Sequence, residues 1–200
     1  MRYTEMLGLV PGDVAAIIGS GGKTTLLLQL ARENCDRQVL VSTTTKMRRA
    51  EVERLAAMEG DGRTQFAPTV LHGDYAGEKI TAPSMARLMV ASADAALTLL
   101  ECDGSKGRPF KGWADYEPVV PDFVTVTIGV MPLWALGLPV GETYVHRVEQ
   151  FCRISGAVPG KAVTRRHIEA VAQHPAGLFR RAVGRRVLFL SGDTPEVIKL

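Results

Sequence analysis

Along this chain, short continuous apolar runs alternate with stretches in which apolar residues recur every three or four positions. Val14–Ile18 is an unbroken apolar run and reads as a buried strand, followed by Leu26, Leu27, Leu30 and Ala31 on one face of a helix from Lys23 to about Asn34. Val39–Thr45 is a β-branched strand ending at Lys46, and residues 48–58 carry a helical stripe of Val52, Leu55 and Ala56. Glycines at 60, 62, 73 and 77 punctuate the stretch 59–82, where Thr69–His72 reads as a short strand. Pro83-Ser84-Met85 opens a helix, because proline suits the first helical turn. Ala95–Leu100 is a further buried strand that runs into Glu101-Cys102-Asp103-Gly104, and Phe123–Val130 is another. Helical patterns over 146–154 and 164–173, a last strand at Val187–Leu190 and a helix start at Thr194-Pro195-Glu196 complete the series. Strands alternating with helices predict an α/β fold on a mostly parallel sheet. The chain ends soon after that last helix start, as a piece of a longer domain would.

The turn after the first strand, Gly19-Ser20-Gly21-Gly22-Lys23-Thr24-Thr25, carries the most specific chemistry. Strand, glycine-rich turn and a helix opening on Lys-Thr make a phosphate-binding loop. Glycines let successive backbone N–H groups converge on an anion, and the helix N-terminus adds partial positive charge. Lys23 is expected to neutralise β- and γ-phosphates and the Thr24 hydroxyl to hold Mg²⁺, with ATP or GTP as the nucleotide. The full pattern needs a glycine where Ile17 stands, so this is the shortened G-x-x-G-K-T-T form, similar to that of Mur-type ligases. The expected fold is therefore a three-layer P-loop NTPase-like one, with residues 1–200 forming a single nucleotide-binding domain. The competing reading is a turn that merely caps a helix.

Open α/β sheets bind ligands beyond the carboxyl ends of their strands. Three such ends are expected to converge: the loop, Thr43-Thr44-Thr45-Lys46, and Glu101-Cys102-Asp103. Glu101 and Asp103 lie two apart, on one face of an extended chain, and with Thr24 are candidate Mg²⁺ ligands. Thr44, Thr45 and Lys46 would position or sense the γ-phosphate. Downstream, Lys106, Arg108 and Lys111 sit among Gly104, Gly107 and Pro109. Lys106 and Arg108 are candidate catalytic cations, and all three could face an anionic small-molecule acceptor. Read otherwise, they are a solvated turn. His146 and Arg147 fit either a proton shuttle and phosphate clamp or the start of a helix.

Composition narrows the classes. At 46% hydrophobic, 200 residues can bury a substantial core. No apolar run approaches the roughly 20 residues of a membrane span, and the N-terminus lacks a signal pattern. Cys35, Cys102 and Cys152 suit neither a disulfide framework nor a zinc site, so a cytoplasmic home is expected. Residues 151–200 carry nine Lys/Arg against three acids within a net charge of +3, but no aromatic residues interleave to stack bases, so nucleic acid is not the expected partner.

Glu101-Cys102-Asp103-Gly104-Ser105-Lys106-Gly107-Arg108-Pro109-Phe110-Lys111, followed by Glu117-Pro118-Val119-Val120-Pro121, resembles the E-A-D-G-S-R-G-R-P-L-K…E-P-V-I-P block of the YqeC-like family. The glycine-rich loop, Ser42-Thr43-Thr44-Thr45-Lys46-Met47, Ala135-Leu136-Gly137-Leu138-Pro139 and Val145-His146-Arg147 align in the same order, so the resemblance runs from about residue 14 to 193. It implies an accessory protein for maturation of a selenium-dependent molybdenum hydroxylase or its cofactor, with that hydroxylase as client. A small-molecule kinase or ligase and a non-catalytic nucleotide-dependent chaperone are the alternatives. The family tends to carry Asn-Lys-x-Asp after the last strand. Here Ser191-Gly192-Asp193 leaves Asp193 alone to meet the base, so strict GTP preference is not expected. Pro132-Leu133-Trp134 replaces a small acidic segment of the family.

Overall fold

The computed structural model describes residues 2–58 and 67–200; Gly60 and Gly62, two of the glycines singled out above, lie outside the described residues. In chain order the elements are α1 (Tyr3–Met6), β1 (Val14–Gly19), α2 (Lys23–Glu33), β2 (Val39–Thr43), β3 (Lys46–Arg48) and α3 (Arg49–Ala56). Then come β4 (Thr69–Leu71), β5 (Tyr75–Ala76), β6 (Lys79–Thr81), α4 (Met85–Asp94), β7 (Leu97–Glu101) and β8 (Phe110–Lys111). The last third holds β9 (Val126–Pro132), β10 (Val145–His146), α5 (Val148–Ser155), α6 (Arg165–Gln173), β11 (Arg185–Ser191) and β12 (Glu196–Lys199).

Seven strands form the main sheet in the order β12-β11-β9-β1-β7-β2-β4. Its pairings are parallel except that of β11 with β12. Every residue of β1, β2, β7 and β9 is buried, which is why these strands are continuous apolar runs rather than alternating ones. The pleat then divides β1 between two cores. Ala15 and Ile17 pack with Leu26, Leu27 and Leu30 of α2 and Val52 and Leu55 of α3. Ala16 and Ile18 face the other way, with Leu88 of α4, Phe151 of α5 and Ile168 and Val171 of α6. The fold is thus α/β, with a mixed, mostly parallel sheet between helices on both faces. Among the described residues no helix is long and apolar enough to cross a membrane.

Three elements depart from the sequence pattern. The expected strand at Phe123–Val130 runs instead from Val126 to Pro132; Thr125 is held by its hydroxyl, which donates to Asp13 at 2.6 Å. The helix expected from Thr194 is the strand β12, antiparallel to β11 from Val187↔Lys199 to Leu190↔Glu196. A helix of that length would be marginal, whereas Val197 and Ile198 suit a strand covering an otherwise unpaired sheet edge. The strand expected over Val39–Thr45 leaves the main sheet after Thr43, and Lys46–Arg48 continues as β3 in a small antiparallel sheet ordered β3-β6-β5. A third, two-stranded sheet pairs β8 with β10 in parallel. Both small sheets lead residues toward the carboxyl end of β1.

Candidate functional site

At that end the chain turns sharply. Gly19 has φ +98, and a Cβ there would lie 2.2 Å from the carbonyl oxygen of Val130 on β9. Gly22, at φ +131, also adopts a backbone conformation that suits only glycine. The turn delivers the chain to α2, whose first internal bond runs from Leu26 N–H to Gly22 O at 2.9 Å. The N–H groups of Gly21, Gly22, Lys23, Thr24 and Thr25 make no hydrogen bond among the described residues. Five consecutive unpaired donors at a helix N-terminus form a concentrated anion-attracting surface.

A buried carboxylate holds this turn in place. Asp103, with no solvent exposure, accepts from Gly19 N–H at 3.1 Å and from the Trp113 indole at 3.0 Å. It lies 3.3 Å from Lys111 Nζ and 3.5 Å from Lys23 Nζ. Lys111 is equally buried, donates to Gly104 O at 2.7 Å and pairs with Glu117 at 3.1 Å. Glu117 in turn pairs with Arg147, whose guanidinium donates to the Tyr116 hydroxyl at 3.0 Å. Charges thus alternate from the surface to the loop: Arg147, Glu117, Lys111, Asp103, Lys23.

This arrangement changes two expectations. Asp103 was expected to ligate a metal, but the Gly19 N–H, the indole and two ammonium groups already occupy its oxygens. Lys111 was expected to face an acceptor, but its ammonium is enclosed among Asp103, Glu117 and a carbonyl. Arg147 belongs to the same network through Glu117. His146 is buried, and burial with the neighbouring Arg147, Lys111 and Lys106 pushes its pKa down to about 4, so its ring is neutral near pH 7. Burial pushes the Cys102 thiol up to about 12, which makes it an inert core residue.

Glu101 is different. The registers Ile17↔Glu101 and Thr43↔Glu101 set it between the ends of β1 and β2. Its Oε1 lies 3.8 Å from Lys23 Nζ, while Oε2 is buried with no hydrogen-bond partner among the described residues. Burial, reinforced by the carboxylates of Glu51 and Asp103 and opposed by Lys23 and Arg48, raises its pKa to about 7. Lys23 itself donates to Gly19 O at 2.8 Å. The Thr24 hydroxyl donates to Glu51 Oε1 at 3.2 Å, and both residues line a cleft of about 520 Å³ with Glu101, Lys106 and Arg108. Hydroxyl and carboxylate oxygens of this kind suit Mg²⁺, which takes one or two carboxylates and completes its shell with phosphate and water. The orphaned Oε2 of Glu101 fits such an ion. Among the described residues no cluster of three or more His, Cys, Asp or Glu side chains could hold a metal without those added oxygens.

Of Thr44, Thr45 and Lys46, only Lys46 lines the cleft. The Thr44 hydroxyl donates to Val119 O at 2.6 Å, and Thr45 N–H donates to Thr43 Oγ1 at 3.1 Å. Ser20 is buried beneath the loop. Asp193 is exposed and lines a neighbouring pocket of about 230 Å³ with Tyr3, Leu26, Trp134 and Phe189. Gly22, Thr25 and Trp134 border both spaces.

Four cleft residues escaped the sequence reading: Arg48, Glu51, Lys79 and Trp134. Glu51 had a local signal, since it sits three residues into α3 and accepts from Arg48 N–H at 3.3 Å, as a helix-capping glutamate does. Arg48 and Lys79 meet only through pairing of β3 with β6 across 31 positions, which no local pattern encodes.

The model of the family described as "YqeC protein" matches residues 15–149. The chain is also similar to a protein of Escherichia coli (strain K12) bearing the name "Uncharacterized protein YqeC". The two are 30% identical over 192 residues, covering 89% of this chain and 75% of that one. No solved structure matches the chain.

Two outcomes follow from the carboxylates. The folded protein keeps a proton on Glu101 that an unfolded glutamate has already released, so stability falls as pH rises from 4.5 to about 7. Urea midpoints across that range should show this slope flattened in Glu101→Gln, and an unchanged slope would refute the assignment. Asp103→Ala removes the carboxylate shared by the buried Lys23 and Lys111, leaving them only Glu101 and Glu117, and is expected to cost about 3–5 kcal/mol of unfolding free energy. If that variant keeps wild-type stability and loses only a Mg²⁺-dependent property, Asp103 is a metal ligand and not a brace.

Proposed function

This chain belongs to the YqeC family, and we propose that it binds a Mg²⁺–nucleoside triphosphate at the loop after β1 and hydrolyses or transfers the γ-phosphoryl group. The observation that carries the reading is the run of five unpaired N–H groups, Gly21 to Thr25, beside a buried lysine and a carboxylate with one free oxygen. In this reading the fold is P-loop NTPase-like. The loop backbone cradles the phosphates, and Lys23 exchanges its bond to Gly19 O for the β- and γ-phosphate oxygens. Thr24 and Glu101 hold Mg²⁺, with Glu51 within reach through the Thr24 hydroxyl. The ion supplies charge neutralisation of the phosphates as the leaving group departs. Glu101 must be ionised to hold it, and the ion in turn favours the ionised form.

The pocket holding Tyr3, Trp134 and Phe189 takes the base, with apolar and aromatic faces against its rings and Asp193 at its polar edge. The lone carboxylate there can accept from either an adenine amino group or guanine, which supports use of ATP as well as GTP. Lys106 and Arg108 stand at the cleft to stabilise charge on the transferred group. The resemblance to accessory proteins of selenium-dependent molybdenum hydroxylases supports placing this chemistry in maturation of such an enzyme or its cofactor.

A second reading, transfer to a small-molecule acceptor as in a kinase or Mur-like ligase, is favoured by one feature. Six cations line the cleft against the two carboxylates Glu51 and Glu101, more positive charge than the approximately two net negative charges of a Mg²⁺-bound triphosphate require.

Titration of Mg²⁺-ATP and Mg²⁺-GTP into wild-type and Lys23→Ala protein tests the site. Saturable binding by the wild type should weaken at least roughly tenfold in the variant, because charge-assisted contacts to phosphate are lost. Equal affinity in the two proteins would show that the loop is not the triphosphate site.

A further inference from the structure

From the small antiparallel sheet we infer that the cleft contains a second anion subsite, built on Arg48 and Lys79, for a phosphate- or diphosphate-bearing molecule bound alongside the nucleotide. This rests on reading the loop after β1 as the triphosphate site. Strands β3 and β6 pair with Met47 opposite Ile80 and Arg48 opposite Lys79. Met47 and Ile80 are buried, and they fix the register by packing into the core. That register leaves Lys46, Arg48 and Lys79 exposed together.

Like charges directly opposite across a strand pair destabilise a sheet. Of the nearby acids, Glu78 stands beside the pair without forming an ion pair among the described residues, and the other two are engaged elsewhere. Glu53 pairs with Arg49 at 2.9 Å, and Glu51 accepts from the Thr24 hydroxyl and from Arg48 N–H. Among the described residues neither Arg48 nor Lys79, nor Lys106 or Arg108, forms an ion pair.

The basic turn closes the arrangement. A Cβ on Gly107 would lie 3.3 Å from Arg48 Nη2, so the guanidinium reaches that turn from the small sheet. Lys106 beside it has φ +54, a left-handed conformation that costs a lysine free energy. A cross-strand cation pair and a strained basic turn thus meet at one end of a cleft whose other wall is the phosphate loop. An anion bound between them relieves the repulsion, and a phosphate matches the guanidinium fork with paired oxygens. The excess of cleft cations over the charge of a Mg²⁺-bound triphosphate calls for a ligand carrying about two further negative charges, as a phosphate monoester does.

Inorganic pyrophosphate is the probe. It should bind, by calorimetry, to protein saturated with Mg²⁺ and a non-hydrolysable ATP analogue. Arg48→Ala/Lys79→Ala should weaken that binding roughly tenfold or more while changing analogue affinity by less than about threefold. The double variant should also melt no lower than wild type, since it removes a repulsion. Pyrophosphate binding should persist in Lys23→Ala protein, which separates the two sites. Competition between pyrophosphate and the analogue for one site, or undiminished pyrophosphate binding in the double variant, would overturn the subsite. Failure of the analogue to bind while the Arg48- and Lys79-dependent pyrophosphate site remains would instead overturn the triphosphate reading alone.

Discussion

The carboxylate of Asp103 has no route to water, and the architecture around the loop follows from how its charge is met. It holds the Gly19 N–H, so the carboxyl end of β1 is fixed where the glycine turn begins. Two lysines, one from the start of α2 and one from β8, converge on it. An ion removed from solvent is tolerated only when its partners are close and its hydrogen bonds complete. Asp103 meets that demand with a backbone donor, an indole and two ammonium groups. One side chain thereby ties together the central strand, the helix after it and the small β8/β10 sheet.

The same constraint divides two neighbouring acids. Asp103 and Glu101 are separated by one residue and both approach Lys23, yet one has a full set of partners and the other has an oxygen left over. Burial with incomplete compensation keeps the Glu101 proton into the neutral range. A group in that state responds to an arriving cation by releasing its proton, so metal binding there would be coupled to pH. Asp103 is held by its hydrogen bonds, while Glu101 keeps one buried oxygen without a partner among the described residues.

Much of the frame was legible in the chain itself. Runs such as Val14–Ile18 and Leu97–Leu100 are apolar throughout because both faces of a central parallel strand are buried. The Gly19–Thr25 turn stood out because glycines followed by Lys-Thr mark a strand–helix junction, and the turn does join β1 to α2. What stayed hidden depends on contacts distant in sequence. That Asp103, and not Glu101, is sealed depends on Trp113 and Lys111 folding back over it. That Lys111 is buried while Lys106 and Arg108 are not follows from pairing of Phe110–Lys111 with Val145–His146. The terminal strand carries a helix-start pattern in sequence, because its decisive partner, the open edge of β11, exists only once the sheet is assembled.

The most direct measurement is a crystal structure with Mg²⁺ and a non-hydrolysable ATP analogue. The β- and γ-phosphates are expected against the N–H groups of Gly21 to Thr25, Mg²⁺ on Thr24 and Glu101, and Asp103 still bonded to Gly19 and Lys111 without touching the metal. An analogue bound away from this loop, or Mg²⁺ ligated by Asp103 after its bond to Gly19 has broken, would contradict that expectation.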